Sequence, residues 1–394
     1  MYDSEYYEKT GKCTRADEGV VFNGTGNVAG NWTYNATGSY SNQSMPANYT
    51  PAGGVAPMEP NPVYHPLSDF DYQSLTLALY HEYIELDLFN WGLTAFSQQE
   101  FQQAGINEDY QHLIRFMAQQ EIGHAELISN MLGPSAPKAC TYNFNFTSVG
   151  EYLTFAQHLT KWSESGVYGF LAHMNSGAAA TLLLQSISTE ARQEMSLRQL
   201  GGMFPYPVWF ETGIPQSFAW SLIAPYIVSC PANNSRVAWQ NFPKLSIVSP
   251  NFVSNASNGS YPRFQNGTYM YPAAVSTNRT SMTVPGQSVS FIWETPGHGV
   301  GPNSSYVTTT SASQPRYAAW ISQLNVTYTP LNMTGNSSGV AMHPSAYVFP
   351  NATQQVVNGT AFVVLVDEAI PLTPYNLSII NEHVVAGPAV YSSD

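Results

Sequence analysis

The chain has 394 residues, 13 of them Lys or Arg and 26 Asp or Glu, for a formal charge of −13. A chain this acidic, with only 10 % charged residues, offers no basic surface for nucleic acid or an anionic membrane. No run of about twenty apolar residues is present, so no helix is expected to span a membrane, and the length leaves room for two or three domains.

The opening "MYDSEYYEKTGKC" lacks the apolar stretch of a secretory leader, so any such segment is expected to have been removed or to lie outside this chain. The C-terminus lacks the hydrophobic tail of a lipid-anchor signal. Residues 1–66 are rich in Gly, Asn, Ser, Thr, Tyr and Pro without helical or strand periodicity, and close on Pro57, Pro60, Pro62 and Pro66. They read as an extended, glycosylated arm.

From residue 67 the pattern turns helical. "LSDFDYQSLTLALYHEYIELDLFNWGLTAF" carries apolar residues at helical spacing, with Ser68 or Asp69 as N-cap. A second helix starts at Asn107 and is stopped by Gly133–Pro134. Two more follow, "SVGEYLTFAQHLTKWSESGVYGFLAHM" and "SGAAATLLLQSISTEARQEMSLRQLGG", broken near Asn175–Gly177, and a shorter one runs through "PQSFAWSLIAPYIVS". Four helices of this length predict a bundle over residues 67–232. Beyond Cys230, short alternating segments punctuated by Gly, Pro and Asn ("TSMTVPGQSVSFIWETP", "YAAWISQLNVTYTPL", "AYVFPNATQQVVNGTAFVVLVDE" and "SIINEHVVAGPAVY") predict a β-sandwich over 233–394, with "VNGT" at Val357–Thr360 as a tight turn between strands. The overall expectation is an α + β multidomain chain.

Asn-x-Ser/Thr sequons are dense: Asn23, Asn31, Asn35, Asn42, Asn48, Asn145, Asn233, Asn255, Asn258, Asn266, Asn278, Asn303, Asn325, Asn332, Asn336, Asn351, Asn358 and Asn376. With so few Lys, that density points to a secreted protein bearing N-linked glycans, at the cell wall or surface. Cys13, Cys140 and Cys230 allow three pairings. Cys140–Cys230 is favoured, because each follows a helical segment and neither sits in the arm.

Each long helix carries acid at a position that should face the core. The first has Glu82 and Glu85, the second Glu121 with His124 three residues on, the third Glu164, and the fourth Glu190 with Gln193 three residues on. Spacing of three puts a pair on one helix face. In antiparallel hairpins, Glu164 and Glu190 come to one height, as do Glu85 and Glu121. The aromatics behind Glu82 (Phe89, Trp91) favour Glu82 instead, and both stay candidates. Four carboxylates in a dry core need compensation. Two divalent cations with imidazole supply it, the pattern in which two helices give a Glu and two give Glu-x-x-His, and hard oxygens with imidazole suit iron or manganese. Glu82 or Glu85, Glu121 and His124 would hold one ion and Glu164, Glu190 and Gln193 the other, with Glu121 and Glu190 bridging.

The segments "YHEYIELDLF", "QEIGHAELI", "ESGVYGF" and "STEARQEMSLRQ" resemble the ferritin-like domain shared by desiccation-related proteins and the secreted fungal stress-response proteins of the Rds type. "NGTAFVVLVDE" and "HVVAGPA" resemble the C-terminal part of the fungal group. The resemblance implies a ferritin-like bundle and a stress-response role, and no defined reaction. Gln193 stands where many relatives have His, which leaves the second ion poorly held and the cofactor as one iron or manganese ion, two, or none. His81 is expected to face outward or cap a polar contact instead of binding metal, and His298 and His343, in loops without spaced partners, to bind no metal. "PGHGVG" is no phosphate cradle and no nucleophile elbow is present.

Two functions follow. One is a structural or stress-protective glycoprotein of the cell surface or matrix, self-associating through the arm or the β-sandwich. The other is a di-iron or manganese oxidoreductase, or a metal-handling protein, acting outside the cell.

Overall fold

The computed structural model describes residues 64–249, 263–265, 268–270, 274 and 283–393. The arm apart from its last three residues, Cys13, and the sequons at Asn23, Asn31, Asn35, Asn42, Asn48, Asn255, Asn258, Asn266 and Asn278 lie outside the described residues.

The helices are α1 (Asp69–Ala95), α2 (Gln98–Gln103), α3 (Glu108–Leu132), α4 (Val149–Leu171), α5 (Gly177–Leu200) and α6 (Gln216–Ile223). Side-chain caps start α1 and α3 where the sequence places them: the Ser68 hydroxyl accepts from the Asp71 N–H, and the Asn107 side chain accepts from Tyr110 N–H. Gly133, at φ 59°, ends α3 in the left-handed region that a side chain resists. The short α2, held by a Ser97–Glu100 capping box, has too few residues to show a period and was not anticipated.

α1 packs on α3 and α4 on α5, forming two hairpins joined along α1 and α4; α3 and α5 meet more sparsely than any of these pairs. α1 and α4 are buried on nearly every face, whereas α3 and α5 keep a wet side. An all-round apolar helix is one covered on all sides. Asp71 ties the two hairpins together: its fully buried carboxylate accepts backbone N–H groups from Leu67, Asn175 and Ser176 at 2.8–2.9 Å.

β1 (Thr141–Tyr142) and β2 (Ile227–Ser229) pair beside the disulfide Cys140–Cys230, the pairing expected. It closes a loop with a sequence separation of 90 that holds α4, α5 and α6. Replacing both cysteines with Ser is expected to cost about 4 kcal/mol, mainly by freeing the unfolded chain, and to lower the melting temperature in a calorimetric scan.

The β half contains β3 (Leu245–Ser249), β4 (Arg263–Gln265), β5 (Thr268–Met270), β6 (Ser288–Trp293), β7 (Gly299–Val300), β8 (Tyr306–Val307), β9 (Tyr317–Ser322), β10 (Asn325–Pro330), β11 (Asn332–Gly335), β12 (Ser338–Met342), β13 (Gly359–Val366) and β14 (Val384–Ser393). β4–β5 and β7–β8 are small hairpins, and two antiparallel sheets, β10-β9-β13-β14 and β11-β12-β6-β3, form the sandwich.

The first of these sheets is covered on both faces. Ala361, Val363 and Leu365 of β13, with Ala318 and Trp320 of β9, pack toward the second sheet, against Val289, Phe291 and Ala341. Phe362, Val364 and Val366, with Ala319 and Ile321, join the core of the helices. Every residue of β13 is therefore buried, and "TAFVVLV" reads as a continuous apolar run instead of alternating.

Three local expectations are corrected. "VNGT" does not link two strands: Gly359, at φ 63°, opens β13, where an added Cβ would come 2.8 Å from Pro207. "AYVFPNATQQ" forms no strand, only an isolated bridge between Tyr347 and Gln355. "SIINEH" is a 3-10 turn, Leu377–His383, before β14 begins. His343 is buried at 2 % exposure, stacked on Trp320 with its Nδ1 3.3 Å from the Tyr391 hydroxyl, which gives it a structural place.

Candidate metal centre

Three helices aim polar side chains at one point. Glu82 comes from α1, Glu121 and His124 from α3, and Glu190 from α5. One ligand atom of each lies within 4.8 Å of all the others. The three glutamates are at most 1 % exposed and His124 is 9 % exposed. Glu121 and His124 share a face because they are three residues apart on one helix.

His124 Nδ1 lies 2.9 Å from Glu121 Oε2, 3.3 Å from Glu82 Oε2 and 3.9 Å from Glu190 Oε1. Its other nitrogen, Nε2, is 2.9 Å from Thr189 Oγ1. That hydroxyl donates its own proton to the Ser186 carbonyl at 2.8 Å, so it accepts from Nε2–H. Thr189 thereby keeps a proton on Nε2 and leaves Nδ1 to face the carboxylates, as an imidazolium N–H or as a free lone pair. Gln193 steadies Glu121: its amide Nε2 donates to Glu121 Oε1 at 2.5 Å and to Gln120 Oε1 at 3.2 Å. Both links bridge the sparse α3–α5 seam.

Burial raises the Glu82 carboxyl to about 7, against the opposing pull of His124. It pushes Glu85 and Glu190 well above the usual carboxylate range, and neighbouring glutamates add to both shifts. Burial works against the His124 imidazolium, but Glu82 and Glu121 outweigh it and hold that group up at about 11.

The donor set fits a divalent cation. Asp71 shows how this fold satisfies a buried acid, with three backbone N–H groups. Glu85 and Glu190 have no hydrogen-bond partner on either oxygen, and Glu82 Oε2 has only the ion pair with His124 at 3.3 Å. Buried carboxylate oxygens left bare cost several kcal/mol unless protonated or matched by a cation. Three carboxylates and one imidazole form the hard-oxygen-plus-nitrogen set that suits iron or manganese.

The other candidates are placed as follows. Glu85, one turn from Glu82 on α1, is fully buried but stands outside the four-residue set. Glu164 is also fully buried, and its Oε2 lies 3.2 Å from Lys161 Nζ. Gln193 meets the centre through its N–H donors, and its Oε1 has no hydrogen-bond partner. His81 is corrected: it is 2 % exposed instead of outward-facing, neither ring nitrogen has a hydrogen-bond partner, and burial lowers it to about 3. Thr189, Lys161 and Glu211 went unnoticed in the sequence. Lys161, three residues before Glu164 and so on the same helix face, was the signal available; Glu211 sits in a loop where no period could mark it.

A bundle that converges glutamates and a histidine from separate helices on one buried point defines a ferritin-like protein, and the chain matches the ferritin-like domain family over residues 70–203. Protein rds1 of Schizosaccharomyces pombe (strain 972 / ATCC 24843) is 68% identical over 375 residues, covering 95% of this chain and 93% of that protein. This chain belongs to the Rds family of ferritin-like proteins.

Proposed function

We propose that this protein holds a single divalent cation, iron or manganese, between Glu82, Glu121, His124 and Glu190, and serves outside the cell as a glycosylated, stress-protective protein. The observation that carries the metal reading is the convergence of those four ligand atoms within 4.8 Å in a buried site. A bound ion would supply a Lewis-acid or one-electron centre. The chain's own contribution is to orient it: Thr189 sets the His124 tautomer, Gln193 fixes Glu121, and the packed helices keep bulk water out.

Elemental analysis of the full chain, secreted from a yeast host and reconstituted with iron(II) or manganese(II), tests this. About one equivalent of either metal is expected. Less than a tenth of an equivalent of both would overturn the reading.

The extracellular part rests on the sequons. None of the nine sequon asparagines among the described residues is buried, and Asn145, Asn233, Asn303, Asn332, Asn336 and Asn351 are exposed. Asn358 differs: its amide nitrogen donates to the Pro207 carbonyl at 2.7 Å and its oxygen accepts from Gly359 N–H. Mass-spectrometric mapping after enzymatic deglycosylation is expected to find glycan at the six exposed positions and none at Asn358. Unmodified asparagine at all six would count against secretion through a glycosylating route.

A further inference from the structure

Beside the metal centre lies a second buried polar cluster with a cation of its own. Lys161 and Glu164 are one turn apart on α4, 3 % and 0 % exposed. The Lys161 ammonium lies 3.2 Å from Glu164 Oε2 and also bonds Glu211. Glu164 is close enough for its charge to act on Glu190, so the two clusters adjoin.

We propose that the Lys161 ammonium is a protein-borne cation standing in for a second metal ion, so that it neutralises Glu164 and keeps the centre mononuclear. This rests on the metal reading given above. Two independent features support it. Glu164, the α4 acid that a second ion would use, already has a fixed positive charge against it. Gln193, in the position from which an imidazole would offer a lone pair, instead points N–H donors at Glu121. Both sides of a second ligand set are thus occupied by hydrogen-bond donors of the protein itself, which repel a cation.

The acids around Lys161 do not depend on it equally. The Glu211 side chain is 32% exposed and can turn to water. Glu194 accepts from the Gln157 amide at 2.9 Å and from the Thr360 hydroxyl. Glu164 has only Lys161: its Oε1 has no hydrogen-bond partner. Removing the ammonium therefore strands Glu164, and removing both groups strands neither.

The test uses the full chain with Lys161→Met, Glu164→Gln, and the two combined. Metal-free protein is melted at pH 8, and each variant is titrated with manganese(II) and assayed for bound metal. Lys161→Met is expected to lower the melting temperature by about 5–10 °C, and adding Glu164→Gln to restore most of that loss. Wild type and Glu164→Gln are both expected to bind one equivalent, with affinities within about threefold of each other. If Lys161→Met yields no folded protein, recovery of folding in the double variant supports the pairing, and failure of both variants overturns it. Unchanged melting of Lys161→Met, or no restoration by Glu164→Gln, overturns it too. So does a wild type that binds two ions and drops to one with Glu164→Gln. A wild type that binds no metal defeats the metal reading alone, because the melting comparison on metal-free protein still decides the Lys161–Glu164 pairing.

Discussion

Replacing His124 with Gln is expected to abolish tight metal binding, lowering manganese(II) affinity by more than about a hundredfold. Residues that merely support a ligand are worth ten- to hundredfold, and His124 is the only neutral donor in the set. Its Nδ1 stands 2.9–3.9 Å from all three carboxylates, so no other side chain covers its loss. Thr189→Val supplies the graded control. It preserves shape but removes the acceptor for Nε2–H, freeing the imidazole to change tautomer, and about tenfold weaker binding is expected. Isothermal titration of the metal-free protein measures both. Wild-type affinity in His124→Gln would show that the cluster is not where metal binds. The same variant is also expected to destabilise the metal-free fold by about 3 kcal/mol near neutral pH, since the imidazolium is then the sole positive charge among Glu82, Glu121 and Glu190.

Much of this centre was legible in the chain because helical spacing is a strong constraint. Glu121 and His124 could only share a face, whereas matching distances from the hairpin turns pointed to Glu85 and Glu164, which stand outside the set formed by Glu82, Glu121, His124 and Glu190. Glu82 against Glu85 was not decidable that way. The two lie three residues apart on a helix buried on nearly every side, so burial does not tell them apart; the packing of α1 on α3 does, and no periodicity encodes it. The role of Gln193 was missed for a related reason: sequence shows an amide but not which end of it faces Glu121. Lys161 was overlooked because a lone lysine in a helix is ordinarily solvated, and its burial follows from the covering of α4 by α5, α6 and the first sheet. In the β half, β13 escaped the alternation rule because the bundle covers the face that a two-layer sandwich leaves wet.

The metal-free protein is expected to lose stability as pH rises from 6.5 to 8, while stabilisation by added manganese(II) grows over the same range. Glu82, raised to about 7 by burial against the pull of His124, and Glu190, pushed by burial well above the ordinary carboxylate range, hold protons more tightly folded than unfolded. Such groups contribute stability that is fully present below the ordinary carboxylate value and is lost as pH climbs through the folded value. His124, raised to about 11, has the same sign: its contribution is complete below 6.5 and falls away above it. His81, lowered to about 3, and His158, lowered to about 4 by burial and by Arg198, act oppositely. They cost stability as pH falls below 6.5, where the unfolded chain protonates them and the folded chain does not. Above 6.5 their opposing effect dies away within about one pH unit, while the carboxyls and His124 go on, for a net loss on the order of 3–5 kcal/mol by pH 8. A divalent ion reverses the trend because it needs the same groups deprotonated and displaces their protons when it binds. Melting curves at pH 6.5, 7.25 and 8, with and without saturating manganese(II), should therefore diverge. Parallel curves would mean that the ion, if bound, sits away from Glu82, His124 and Glu190, since no site built on those groups can take up a cation without releasing protons in this range.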